Sequence, residues 1–148
     1  MRPGTGAGRG SYLLFWAVLA AGALGVGCAS VDSALPVARQ GSGRYEALPS
    51  GGFDQVTRPG SAPVVLLFYS PSCPYCKALM KKTRAGVAAG KPWVIYTINI
   101  REEPYLRSQL GVGPVPCLIY YRNGQEMDRT TGWRPGFALS GKLDSFFE

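Results

Sequence analysis

Histidine is absent from all 148 residues. That removes imidazole as the base that activates a nucleophile and as a zinc or copper ligand. Acids are scarce, nine against sixteen Lys plus Arg, for a formal charge of +7. The basic excess is dispersed. Its densest group, Lys77, Lys81, Lys82 and Arg84, falls on one expected helix. A nucleic-acid surface shows a longer basic stripe with interleaved aromatics, so no nucleic-acid partner is expected and that helix face reads as solvated. Cysteine is limited to Cys28, Cys73, Cys76 and Cys117. They form one CxxC, not the two of a four-thiolate zinc ribbon, and neither a metal site nor a cofactor is expected. No apolar run reaches membrane length. The longest, Leu13 to Val26, has fourteen residues, whereas a hydrocarbon core of about 30 Å needs about 20. No internal repeat is visible.

The N-terminal segment reads as an address. Met1 to Tyr12 carries Arg2 and Arg9 and no acid, and Leu13 to Val26 follows without a charge. A basic start, a short apolar stretch and small residues make the layout of a secretory signal, expected over residues 1–27. The stretch L-G-V-G-C-A-S places a small residue directly before Cys28 and resembles a bacterial lipoprotein signal. That resemblance implies lipidation of Cys28 and a membrane anchor. Gly25 departs from it, since Leu is usual there and Leu24 lies one residue earlier. Ala29 after the cysteine, where inner-membrane retention would use Asp, resembles outer-membrane sorting. Cleavage after Ala29 or Ser30 and an uncleaved anchor are the alternatives. Each puts the domain outside the cytoplasm, on the periplasmic side of a cell envelope or else secreted, where disulfides persist. Residues 28–52 are expected as a flexible linker, because Pro, Gly and Ser break any period. A folded domain is expected over 53–148.

Within it, V-V-L-L-F-Y (64–69) is a β-prone run suited to a strand buried on both faces. Cys76, Leu79 or Met80, Thr83 and Val87 recur at helical spacing, with Lys77, Lys81 and Arg84 opposite and Gly90 and Pro92 as the stop. W-V-I-Y-T-I-N-I (93–100) predicts a second strand and Glu102 to Leu110 a short helix. C-L-I-Y-Y (117–121) predicts a third strand, turned at Asn123-Gly124 into a hairpin with Gln125–Thr131. Pro135 opens a last helix carrying Phe137, Leu143, Phe146 and Phe147 inward. Parallel strands with crossover helices, then an antiparallel pair, define an α/β sandwich.

The chemistry centres on S-C-P-Y-C-K (72–77). Only a thiolate attacks a disulfide, and a cysteine in the first turn of a helix meets unpaired amides and the positive dipole end. Cys73 is the expected nucleophile. Pro74 fits a first-turn position. Cys76, nearly one turn on and on the apolar face, is the expected shielded resolving thiol. A static disulfide here would close too short a loop to stabilise much, and a metal half-site lacks a second half. Cys117, opening a strand, reads as a buried small hydrophobe; proximity to the pair, or a three-thiolate metal carrier with it, is the lesser reading. Trp93 and Trp133 read as packing residues.

A strand ending F-Y, then C-P-Y-C at a helix start, then V-P-C-L-I-Y-Y-R-N-G about forty residues on, resembles the thioredoxin superfamily over residues 53–148. The resemblance implies a three-layer sandwich with a central mixed β-sheet. It implies a cis Val115–Pro116 bond beside the CxxC, and substrate binding by Val115, Pro116, Pro74 and Tyr75. Departures accompany it. The buried Asp of strong reductants, six residues before the first cysteine, is Leu67; the nearby Lys is Thr97; the Trp before the motif is Ser72. CPYC with Val before the proline also resembles glutaredoxins, yet Gly132-Trp133-Arg134-Pro135 lacks the Gly-Gly-x-Asp type of glutathione clamp. The same pattern resembles secreted oxidases and isomerases. The expected activity is extracytoplasmic thiol–disulfide exchange on cysteine-bearing exported proteins, with a redox partner recycling the pair. A non-catalytic binding module of an envelope assembly is the alternative.

Overall fold

The computed structural model describes residues 42–132 and 137–148, with backbone alone at 137 and 138. The expected signal segment, Cys28, Trp133 and Pro135 lie outside the described residues. In chain order the elements are β1 (Arg44–Ala47), α1 (Phe53–Val56), β2 (Val64–Tyr69), α2 (Pro74–Ala88), β3 (Val94–Asn99), α3 (Pro104–Gln109), β4 (Cys117–Arg122), β5 (Gln125–Thr131) and α4 (Phe137–Phe147). The five strands form one sheet in the order β1-β3-β2-β4-β5. β1, β3 and β2 run parallel, and β4 and β5 are antiparallel additions. The mixed sheet and three layers agree with the expected sandwich.

Alternation along the central strands builds two core layers. Leu66, Phe68, Tyr96, Ile98, Cys117 and Ile119 face one side, where Val56 of α1 and Leu106 of α3 cover them. Val65, Leu67, Ile95, Leu118 and Tyr120 face the other, under Leu79 of α2 and Leu139 and Leu143 of α4. Each such side chain, fully removed from water, favours folding by about 1.5–3 kcal/mol. The helix stop at Gly90 is as expected, with φ +87°. Asn123 (φ 53°) and Gly124 (φ 79°) make the hairpin turn with two left-handed residues. A side chain at Gly124 would also meet the Thr57 carbonyl at 2.6 Å.

The linker expected over residues 28–52 is corrected at its C-terminal end. Arg44–Ala47 pairs in parallel with β3, from Arg44 opposite Val94 to Ala47 opposite Thr97. The reason is local. Tyr45 packs into the α2 layer and lies under the Arg84 guanidinium, 5.1 Å from its ring centroid. The Arg44 amide donates to the Trp93 carbonyl at 2.7 Å. An edge strand takes its register from its neighbour, so four residues with one anchoring ring suffice. α1 was likewise not expected and is a single turn. Among the described residues no helix is long and apolar enough to cross a membrane.

Candidate active site

The site lies at the carboxyl ends of β2 and β3 and the amino end of β4. Cys73 is the N-cap of α2, with extended backbone (φ −87°, ψ 112°), and its Sγ accepts a hydrogen bond from the Cys76 amide at 3.1 Å. Sulfur thus occupies the place usually taken by a Ser or Asp oxygen. The Cys73 amide donates to the Ser70 carbonyl at 3.0 Å, and the Cys73 carbonyl accepts from Lys77 at 3.2 Å. Pro74 at the first helical position sacrifices no helical bond. A fifteen-residue helix begins at this residue. Cys73 is half-buried, open to an incoming disulfide.

Cys76 is fully buried. Burial, and then the hydrogen bond and proximity of Cys73, push its thiol from the ordinary 9.0 up to about 11, against an opposing pull from the Ser70 amide. Leu67 stands opposite Thr97 on β3 and Leu118 on β4. None of the three brings a carboxylate into the layer beneath α2. The Thr97 hydroxyl is turned to the Glu46 carbonyl at 3.3 Å.

Val115–Pro116 is a cis peptide bond, as the resemblance implied. The Cys73 Sγ lies 3.8 Å from the Val115 carbonyl oxygen. Pro116 is buried and its carbonyl accepts from the Gly132 amide at 2.8 Å. Cys73, Cys76 and Val115–Pro116 are therefore brought together. Pro74 and Tyr75 lie on the solvent side of the same mouth, with Tyr75 62% exposed.

Cys117 follows Pro116 directly yet belongs elsewhere. It is buried in the layer under α1 and α3, beside Phe68, with its Sγ 3.8 Å from the Thr131 hydroxyl. Burial raises its pKa. The three-thiolate carrier is thereby corrected: among the described residues no three Cys, His, Asp or Glu side chains converge as a metal site would need. Alternation on β4 turns Cys117 away from α2.

One neighbour of the mouth was missed from sequence. Arg101, just past β3, donates to the Ser72 hydroxyl at 3.3 Å, and Ser72 lies 3.0 Å from the Ser70 hydroxyl. The Arg101 amide donates to Asn99 Oδ1 at 3.1 Å, and Asn99 Nδ2 donates to Glu102 at 2.6 Å. The available signal was position, since residues after parallel strands gather at the strands' carboxyl ends.

A central mixed sheet, a cysteine capping the helix after its first central strand and a second thiol buried one turn below define a thioredoxin-like thiol–disulfide fold. The family model described as Thioredoxin matches residues 46–145, and the chain belongs to that family. It is 31% identical over 94 residues to thioredoxin 1 of Nostoc sp., covering 62% of this chain and 87% of that one. It is 24% identical over 111 residues to the M-type chloroplast thioredoxin of Pisum sativum, covering 74% of this chain but only 64% of the relative. The solved structure of Trxlp from Edwardsiella tarda matches with a TM-score of 0.59 and 30% identity, over 68% of this chain and 98% of that one. At family level these relatives support thiol–disulfide oxidoreductase function.

Proposed function

We propose that the chain is an extracytoplasmic protein-disulfide oxidoreductase working through Cys73 and Cys76. The observation that carries the reading is the position of Cys73 Sγ, 3.1 Å from an amide donor and 3.8 Å from the Val115 carbonyl. In the reducing direction, the Cys73 thiolate attacks one sulfur of a substrate disulfide; the S–S bond breaks and one substrate thiolate leaves. Cys76 then gives its proton to water and attacks Cys73 Sγ. A Cys73–Cys76 disulfide forms and the second substrate thiolate is released. Two electrons pass to the substrate, and an external dithiol partner returns them. Oxidation of a substrate dithiol is the same sequence reversed. Val115 offers its backbone to an extended substrate segment as an added strand, with Pro116, Pro74 and Tyr75 forming the rim. The reading includes export through residues 1–27, lipidation at Cys28 on the periplasmic side, and exported cysteine-bearing proteins as substrates.

The test is a pair of variants in the full-length chain. Cys73→Ser should end dithiol–disulfide turnover, and Cys76→Ser should trap substrates as mixed disulfides on Cys73. Unchanged biological activity in both would instead favour a binding module. The reduction potential of the couple fixes the direction of flow. The mass of the mature N-terminus tests Cys28, since a free, unmodified Cys28 would refute the anchor.

A further inference from the structure

Between α3 and the Val115–Pro116 bond runs the segment L-G-V-G-P (110–114). Two glycines give such a stretch wide backbone freedom. Four consecutive carbonyls in it are nevertheless held by two guanidinium groups. Arg107 donates from Nε to the Val112 carbonyl at 3.0 Å and from Nη2 to the Gly113 carbonyl at 3.1 Å. Arg129 donates from Nη1 to the Leu110 carbonyl at 2.9 Å and to that of Gly111 at 3.4 Å. Arg129 is itself fixed by a two-pronged pair with Glu126, at 2.8 and 2.9 Å.

We propose that Arg107 and Arg129 are positioning residues for substrate binding: together they hold the 110–113 backbone so that Val115 is presented at a fixed place beside Cys73. The inference rests on the thiol-exchange reading above. Ordinary helix capping by a cation explains the contact with Leu110, at the end of α3. It does not explain Val112 and Gly113, which lie past the helix and are reached by Arg107 from within it. The clamp comes from both sides in sequence, α3 before the segment and β5 after it. On the far side of the edge, the Gly132 amide fixes the Pro116 carbonyl. Pro114 and Val115 are thus suspended between two anchored points, with Cys73 Sγ facing the Val115 carbonyl. Lysine is a poor substitute, because one ammonium does not reproduce the fixed fork that spans two carbonyls.

The experiment compares full-length wild type with Arg107→Ala, Arg129→Ala and the corresponding Arg→Lys variants. Turnover is followed against a cysteine-bearing protein disulfide, with the denaturant midpoint measured for each protein. kcat/KM should fall by up to about 100-fold, the scale on which a misplacement of about 1 Å is felt, chiefly through a higher KM. The Lys variants, which keep the charge, should recover only part of the loss. Amide exchange at Val112, whose N–H donates to the Arg107 carbonyl at 2.9 Å, should accelerate in the Ala variants ahead of global opening. A wild-type KM in folded variants, or KM and kcat degrading together in step with stability, would overturn the clamp. So would unaltered exchange. A wild type without any turnover would sink the exchange reading first, before any variant is compared.

Discussion

Two strand termini at one end of the sheet treat a thiol in opposite ways. Where β2 ends, the chain turns into α2 and leaves Cys73 as an N-cap, half-exposed, with an amide aimed at its sulfur. Where β4 begins, opposite Phe68, the pleat turns Cys117 into an apolar layer with one hydroxyl at 3.8 Å. Only the first environment offers both access and donors. Cys76 shows the third case, in which burial and then the neighbouring Cys73 hold the thiol up at about 11, protonated at neutral pH. The comparison teaches that local backbone direction, more than distance along the chain, separates an accessible, amide-facing thiol from a packing one.

The contrast breaks most sharply on substitution. Cys73→Ser should end disulfide turnover, because a hydroxyl in the same place cannot attack a disulfide and form the mixed disulfide. Cys117→Ser should leave turnover within about twofold of wild type while costing about 1–3 kcal/mol of stability for a poorly partnered hydroxyl. If the Cys117 variant lost activity without losing stability, the division between the two thiols would fail.

Cys76 sharpens the same comparison through pH. Its thiol is raised in the folded state, so the protonated form is what folding favours. That contribution is complete below the ordinary value of 9.0 and is lost as pH climbs through about 11. Denaturant midpoints of reduced wild type should fall across that window relative to Cys76→Ala, and parallel curves would contradict the burial. The smallest effect is expected at the surface. Lys142 and Asp128 pair at 2.7 Å with half-exposed partners, and Lys142→Ala should cost at most about 1 kcal/mol and leave thiol chemistry untouched.

Much of this was legible in the sequence for physical reasons. The runs at 64–69 and 117–121 admit no exposed face, which placed them at the sheet's centre. Pro74 after Cys73, with Gly90 beyond, marked both ends of α2. β1 escaped because R-Y-E-A owes its strand form to β3 and to the Tyr45 anchor, neither of which is a local property. The arginine clamp escaped for a similar reason: Arg107 and Arg129 meet the same loop only after α3 and β5 have packed. Cys117 was correctly read as a core residue from its place at the head of an apolar strand. That it faces away from α2 follows from pleat parity, which needs the register to be known.

The most direct measurement is peptide mapping of the reduced full-length protein after limiting iodoacetamide at neutral pH. Among Cys73, Cys76 and Cys117, the label should sit on Cys73 alone, with the other two modified only after unfolding. Equal or faster labelling of Cys76 or Cys117 in the folded protein would contradict the account.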